Sequence, residues 1–399
     1  MLQSRVVFSF VVLLGMAPPA WLLHECGAAE WSAEPSIRVR GEYNSNLLYT
    51  SMPHEEVWGV WVSPGVTFAG STENLELSGR AAADFVHYYG GQDISLTNLY
   101  FPLNVRYRTE RDQLSFEGGF TRDNTLLGEL RQTGVVLTFT QRNLWTANPS
   151  WAHQLTERFS VQAGYQFADA TYENGLQLGL VDYQVQGGNA GVSYEATEKS
   201  RMKLNGVYTN FHAPDANGLR SVIYGADLSY DHSFSETLVA GLSGGPRLVS
   251  SSINNGPSRV TDDQTVWVGN GRIEKKFEKT VLRLEASQEI YPSGFGLLLQ
   301  TDRVGVFVSG ELTERLRTSL YAQAYWATGI ASAATATVFP ESRYINVTPT
   351  VSWRLGEWWA LDASYTYGRR DVDSLNQTGI SNSVYLSLTY FPPKLSVSR

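Results

Sequence analysis

Cysteine is almost absent from this sequence. Cys26 is the only one among 399 residues, and it lies near the N-terminus in a segment that has the features of a secretion signal. Removal of that segment would leave a chain without a thiol. This excludes a disulfide framework, a cysteine-ligated metal and a cysteine nucleophile.

Long hydrophobic runs and an excess of positive charge are also missing. After the N-terminus, no stretch approaches the ~20 consecutive apolar residues that a membrane-spanning helix needs. The formal net charge is −8, and the basic residues form no stripe. The composition therefore argues against nucleic acid as a partner and leaves roles with membranes or small solutes open.

Aromatic residues, by contrast, are abundant: the chain has Trp 11, Tyr 21 and Phe 17, spread along its length. Trp and Tyr are favoured at both membrane–water boundaries of a β-barrel. Many fall near predicted strand ends, where we expect a girdle, with carbohydrate stacking on the inner face as an alternative for a few. These are Tyr49, Trp58, Trp61, Tyr88, Tyr89, Trp145, Tyr291, Trp326, Trp358 and Trp359.

The N-terminus predicts a cleaved signal peptide. A start with one positive charge precedes the apolar run Val6–Leu14, and small residues around Ala28 and Ala29 suit cleavage there. A lipidated Cys26 is the rival interpretation, but the preceding Leu-His-Glu is unlike the small neutral residues which that processing needs. We therefore expect a signal peptide over 1–29, a barrel over 30–391 and a C-terminal extension over 392–399.

The remainder alternates between polar and apolar residues. In the stretch from Leu316 to Trp326, one face carries leucine, alanine and tryptophan, and the other carries arginine, serine, glutamine and tyrosine. The residues from Ser383 to Tyr390 alternate in the same way. Period-two patterns about ten residues long are typical of membrane-spanning strands, which have one face on lipid and one on the lumen.

Short polar turns centred on a glutamate interrupt this alternation at intervals of 36 to 47 residues. Each interval fits two strands and one longer loop rich in Gly, Asn, Asp and Pro. Eight such turns predict nine hairpins. The glutamates are Glu73, Glu110, Glu157, Glu198, Glu236, Glu278, Glu314 and Glu357.

The predicted fold is therefore all-β: a transmembrane antiparallel up-and-down β-barrel of about 18 strands, with 16 as the alternative count. A soluble solenoid, propeller or sandwich is the rival, but no blade signature is visible. None of the external loops exceeds about fourteen residues by this interpretation. We therefore do not expect a loop that folds inward to constrict the lumen.

Charged residues on the polar faces are predicted to line the lumen. An Arg or Lys on lipid at the midplane would cost roughly 2–4 kcal/mol. Barrels of this size are wide enough to enclose water, so we expect an aqueous conduit, with a closed barrel filled by paired charges as the alternative. The candidates are Arg40, Glu42, Arg80, Asp84, Arg106, Glu117, Asp227, Arg283, Glu285, Arg303, Arg354 and Asp362.

Signals for catalysis or a cofactor are weak. The six histidines form no metal-ligand pattern, and the sequence has no Gly-x-Ser-x-Gly elbow and no glycine-rich phosphate loop. The adjacent Asp262 and Asp263 are too little for a Ca²⁺ site. We therefore expect no catalytic residues, no cofactor and no metal.

Two short motifs carry a family resemblance. The run Glu42–Leu48 and the following Val62–Val66 resemble the beta-barrel porin 2 family of Gram-negative outer-membrane proteins. The stretch from Val384 to Phe391 looks like the strand that such barrels present to the barrel-assembly machinery, although eight further residues follow it. The resemblance implies an outer-membrane location and an association with exopolysaccharide export.

Three functions remain open at this point. The first is a channel for polysaccharide or small solutes, in contact with outer-membrane lipid. The second is a non-conducting barrel that serves as a structural or docking part of an export system. The third, least favoured, is an outer-membrane hydrolase.

Overall fold

The computed structural model describes residues 30–51, 54–91, 93–130, 139–255, 258–330, 341–373 and 376–398. The predicted signal peptide, residues 1–29, lies outside the described residues. Among those that are described, no helix is both long enough and apolar enough to cross a bilayer.

Eighteen long strands of 13 to 19 residues make up the fold, followed by one short strand. They are β1 Glu30–Asn44, β2 Val57–Ser71, β3 Leu75–Tyr89, β4 Ile94–Arg108, β5 Asp112–Asn124, β6 Gln141–Gln154, β7 Phe159–Tyr172, β8 Tyr183–Thr197, β9 Ser200–Ala213, β10 Leu219–Ser235, β11 Leu238–Asn255, β12 Ser258–Lys276, β13 Thr280–Pro292, β14 Leu298–Glu311, β15 Leu316–Gly329, β16 Ser342–Arg354, β17 Trp359–Val372, β18 Gln377–Tyr390 and β19 Leu395–Ser398.

The sheet closes on itself. Each of the first seventeen strands pairs antiparallel with the next, and β1 also pairs with β18, from Ile37 opposite Tyr390 to Asn44 opposite Ser383. This confirms the predicted up-and-down barrel and the count of 18. Closure leaves no lateral edge, so the backbone can satisfy its hydrogen bonds inside a membrane.

The short strand β19 was not anticipated. It follows the Pro392-Pro393 pair and pairs with the first residues of β1, from Glu30 opposite Ser398 to Ala33 opposite Leu395. Proline has no backbone N–H, so a ladder is interrupted where the two prolines lie. The C-terminal residues thus continue the wall beside β1 after a break.

All eight glutamate turns lie where the sequence predicted them, each joining an even-numbered strand to the next one. They share one end of the barrel, here called the turn end. The opposite end, the loop end, carries the other connections. Glutamate, hydroxyl and basic residues keep the turns solvated, which fixes where each strand stops.

Alternation along the strands separates two faces. The outward positions include Val39, Val60, Val304 and Leu386, which are 43 to 55% exposed. Cross-strand partners lie on the same face of a sheet, so the register carries this apolar outer belt from strand to strand. The polar residues between them face the interior.

Candidate channel and its constriction

The twelve predicted lumen residues all lie on the inner face of the barrel wall. The register pairs Arg40 with Trp61, Arg80 with Thr67, and Asp84 with Asn98. Each of these residues lies on the face of its strand that does not carry the outward valines and leucines. The same parity holds for the others, namely Glu42, Arg106, Glu117, Asp227, Arg283, Glu285, Arg303, Arg354 and Asp362. Their part in solute passage stays a prediction.

Many of these charges pair within the wall. Arg247 bonds Asp227 at 2.6 Å, and Arg283 bonds Glu274 at 2.9 Å. Of the twelve residues, six are arginines and six are aspartates or glutamates. The interior is therefore polar, without the excess of one sign that would make a simple charge filter.

Arg40 is held between an anionic and two aromatic side chains. It forms an ion pair with Glu42, and its guanidinium lies 4.6 Å from the Trp61 ring centre and 4.2 Å from that of Tyr385. Arginine between two aromatic faces is stabilised by cation–π attraction. This arrangement fixes the three side chains against the wall near the loop end.

The connection between β5 and β6 contradicts the expectation that no loop folds inward. It comprises the sixteen residues 125–140, longer than the limit of about fourteen inferred from the sequence. Its described start forms a helical turn, in which the Glu129 N–H donates to the Thr125 carbonyl at 2.9 Å. Glu129 and Leu130 are almost fully buried. We call the described part, residues 125–130 and 139–140, the inner loop.

The inner loop contacts widely separated parts of the wall. Leu130 packs with Tyr325 of β15 and Tyr344 of β16. Leu127 packs against the cluster that contains Trp61 of β2 and Val86 of β3. Because β15 and β16 lie about half the circumference away from β5 and β6, the inner loop reaches across the lumen.

An ionic network fastens the base of the inner loop. The Arg142 guanidinium of β6 bonds the Asp123 carboxylate at 2.8 Å and lies 3.5 Å from the Glu129 carboxylate. The Tyr172 hydroxyl of β7 donates to Glu129. Gly128 allows this approach, since a β-carbon there would overlap the guanidinium. Burial of Glu129 raises the pKa of its carboxyl, while Arg142 opposes that shift.

Other loops complete the constriction at the loop end. Tyr49, between β1 and β2, packs edge-on against Tyr344, and their hydroxyls are 3.3 Å apart. The Val181 N–H, between β7 and β8, donates to the Gly294 carbonyl, between β13 and β14, at 2.7 Å. Apolar side chains from β7 to β14, including the fully buried Phe211, form a core beneath these contacts.

This packing contradicts part of the predicted aromatic girdle. Trp58, Tyr89, Trp145, Trp326, Trp358 and Trp359 are exposed, as a girdle requires, with Trp58 at 58%. Four others are interior instead: Trp61 and Tyr88 are buried together with their rings edge-on, Tyr49 belongs to the constriction, and Tyr291 lies on the inner face opposite the buried Leu299. The partners of the first three are distant in sequence, so their position near strand ends could not reveal this.

A sequence signal for the inner loop did exist. Leu126 and Leu127 precede Leu130 by four and three residues, the separations at which side chains share one face of a helix. Three leucines so spaced have no role in a solvated loop, and they need an apolar surface to cover them.

The histidines form small clusters only. His153 lies 2.8 Å from the Asp112 carboxylate, and His232 lies 2.8 Å from the Ser200 hydroxyl. Both pairs are on the outer face near the turn end. Within the described ranges, no group of three or more His, Cys, Asp or Glu side chains is placed to hold a metal ion.

The outer belt, the closed hydrogen bonding and the polar interior together decide the architecture. The chain is a membrane-spanning β-barrel of the outer-membrane type. Among β-sheets, only a closed one presents an apolar face to lipid on every side without leaving backbone groups unpaired.

Comparisons with known proteins add little to this. No family model matches the chain, and no curated protein matches it in sequence. Among solved structures it is similar to OccK7 (OpdD) of Pseudomonas aeruginosa, with 9% identity and a TM-score of 0.45 over 92% of this chain and 99% of that one. It is also similar to OccAB4 of Acinetobacter baumannii, with 8% identity and a TM-score of 0.47 over 92% and 98%.

Those TM-scores lie below 0.5, so the likeness carries no argument about function. None of these comparisons confirms the resemblance to the beta-barrel porin 2 family.

Proposed function

We propose that this barrel is a channel that admits small polar solutes through the outer membrane, past a constriction formed by the inner loop. The observation that carries the proposal is the division of the lumen into two zones. The loop end is narrowed by the inner loop and its apolar contacts, whereas the wall toward the turn end carries charged and hydroxyl side chains that face the interior.

Size favours small solutes over a polysaccharide. Leu130 contacts the wall about half the circumference away from the base of the inner loop at β5 and β6, so a solute must pass beside the inner loop or displace it. A hydrated polymer would need that displacement throughout its passage. The export of polysaccharide, which the family resemblance implied, therefore receives no support from the constriction.

A docking barrel makes a different use of the same features. In that case the ion pairs of the wall and the inner loop would serve to close the lumen permanently. Conductance separates the two functions, because a permanently closed barrel is electrically silent even when it is correctly folded.

The test is single-channel recording of the protein purified from outer membranes and added to planar bilayers, with liposome swelling in sugars of increasing size. We expect discrete current steps and swelling with monosaccharides but not with long oligosaccharides. The same preparation after heat denaturation serves as the control. A folded barrel, verified by heat-modifiable migration, that gave neither current nor swelling would overturn the proposal.

A further inference from the structure

A row of inward side chains crosses four neighbouring strands near the turn end. Asp231 of β10 lies opposite Gly241 of β11, Gly241 lies opposite Arg272 of β12, and Arg272 lies opposite Glu285 of β13. Residues that face one another across paired strands share a face. The row thus presents a carboxylate, a gap, a guanidinium and a second carboxylate to the lumen.

Gly241 forms a notch between the first two charges. Two strand spacings separate the backbones of Asp231 and Arg272, which is about 10 Å. A β-carbon on Gly241 would lie 2.5 Å from the Asp231 oxygen Oδ1, so the carboxylate leans over the glycine. The notch belongs to a cavity of about 360 Å³ that Ser229 and Ser243 also line.

The two charges that flank the notch differ from the lumen charges that are held in ion pairs. Arg201 pairs with Glu195 at 2.5 Å, and Arg283 pairs with Glu274. In the described part of the chain, neither Asp231 nor Arg272 has a charged side chain within ion-pair distance. Their charges are therefore available to a solute.

The charges around the notch also balance. Lys203 and Arg303 line the same cavity as Arg272, while Glu285 and Glu289 line it with Asp231. A solute that carries one charge would be attracted by half of these groups and repelled by the other half. A solute with a positive and a negative group a few ångströms apart could satisfy both halves at once.

We propose that the Gly241 notch is a binding site for small zwitterions, such as an α-amino acid or a betaine, during their passage through the channel. The ammonium group is placed toward Asp231, and the carboxylate accepts hydrogen bonds from Arg272, which donates them in a planar fork. This inference rests on the proposed channel function and names a solute class for it.

The test is block of single-channel current by glycine betaine, with glucose, acetate and tetramethylammonium as probes that are neutral or carry one charge. Betaine has no net charge, so voltage does not drive it through the pore. We expect betaine to interrupt the current at concentrations at least about tenfold lower than those of the other three probes. Its carboxylate accepts charge-assisted hydrogen bonds from Arg272 while its trimethylammonium group, which has no N–H, makes an ionic contact with Asp231.

Three variants test the geometry. Asp231→Asn and Arg272→Gln each remove one contact, and Gly241→Leu fills the notch; we expect each to raise the half-blocking concentration of betaine at least about fivefold. Gly206→Leu is the matched control. This glycine of β9 lies on the outer face and outside the cavity, and only the Ala190 carbonyl oxygen lies within 4 Å of a β-carbon at that position.

Calorimetric titration of betaine into the detergent-solubilised barrel gives a second readout that does not depend on conductance. Current without preferential block by betaine, together with no heat of binding, would overturn the zwitterion site and leave the channel intact. Binding that all three variants abolish, in a barrel that never conducts, would support the site and overturn the channel. Equal block in the wild type and in Gly241→Leu would also contradict the site.

Discussion

Arg142, on the inner wall of β6, lies 3.5 Å from the carboxylate of Glu129 in the inner loop. Asp123 bonds the same guanidinium at 2.8 Å. If the inner loop left the wall, Glu129 would return to water while Arg142 kept Asp123. We therefore predict that the inner loop can leave the wall without leaving Arg142 unpaired, and that it acts as a gate.

Replacement of Arg142 should favour the released state. Removing one partner of a buried ion pair costs about 3–5 kcal/mol, because the remaining charge is left uncompensated. We expect Arg142→Gln to raise the mean conductance and the frequency of gating transitions, with the barrel still folded. Arg317→Gln is the control, since its pair with Glu311 is solvent-exposed at the turn end. An unchanged current in Arg142→Gln would contradict a gating role.

The docked loop should be favoured by acid. Burial raises the pKa of the docked Glu129 carboxyl. The groups that face it are Arg142, Asp123, Tyr172, Tyr183 and the Gly294 backbone. A carboxyl released into water has a pKa of about 4.3. The docked state therefore binds the proton more tightly than the released state. Docking weakens as the pH rises from the pKa of the released carboxyl through the pKa of the docked one.

We expect conductance recorded between pH 4 and 8 to increase with pH in the wild type. Glu129→Gln, which cannot ionise, should lose this increase and keep the current low throughout the range. Conductance that falls with rising pH, or the same profile in both proteins, would show that Glu129 is not the group responsible.

Leu130 of the inner loop should contribute to docking through its packing. Leu130 is 6% exposed against Tyr325 and Tyr344, and truncation of such a leucine to alanine typically costs about 2–5 kcal/mol. We expect Leu130→Ala to raise the open probability of single channels. Leu176→Ala is the control because Leu176, in another loop, is 66% exposed. Identical open probabilities in the two variants would show that Leu130 does not stabilise the docked loop.

The two faces of β18 should respond oppositely to a new charge. Val384 points outward and is 50% exposed, whereas its neighbour Ser383 points inward. An arginine at the lipid midplane costs roughly 2–4 kcal/mol. Val384→Arg should therefore lower the urea midpoint of unfolding in lipid vesicles, and Ser383→Arg should leave it nearly unchanged. Equal losses would mean that the assignment of faces is wrong.

The barrel was predictable because its rules are local. Glu73 and the other turn glutamates mark the short connections, and alternation along stretches such as Leu316 to Trp326 assigns each face without knowledge of the partner strand. Register and closure then follow from antiparallel neighbours joined by short turns.

The constriction was not predictable in the same way, because it depends on contacts across the lumen. Leu130 meets Tyr344, more than two hundred residues later in the chain, and no local pattern encodes that meeting. The notch at Gly241 has the same origin. The inward position of Asp231 can be inferred from its strand, but its place in a row with Arg272 depends on the register of three strands.

The central claim is that solutes pass through the lumen and that the faces are assigned correctly. Single cysteines at the adjacent positions Ser243 and Leu242 test it, in a chain carrying Cys26→Ser. A charged, membrane-impermeant thiol reagent should cause a stepwise change of current in Ser243→Cys, which faces the lumen. It should have no effect in Leu242→Cys, which faces outward and is 68% exposed. No effect at either position in a conducting barrel, or an effect only at Leu242→Cys, would contradict the account.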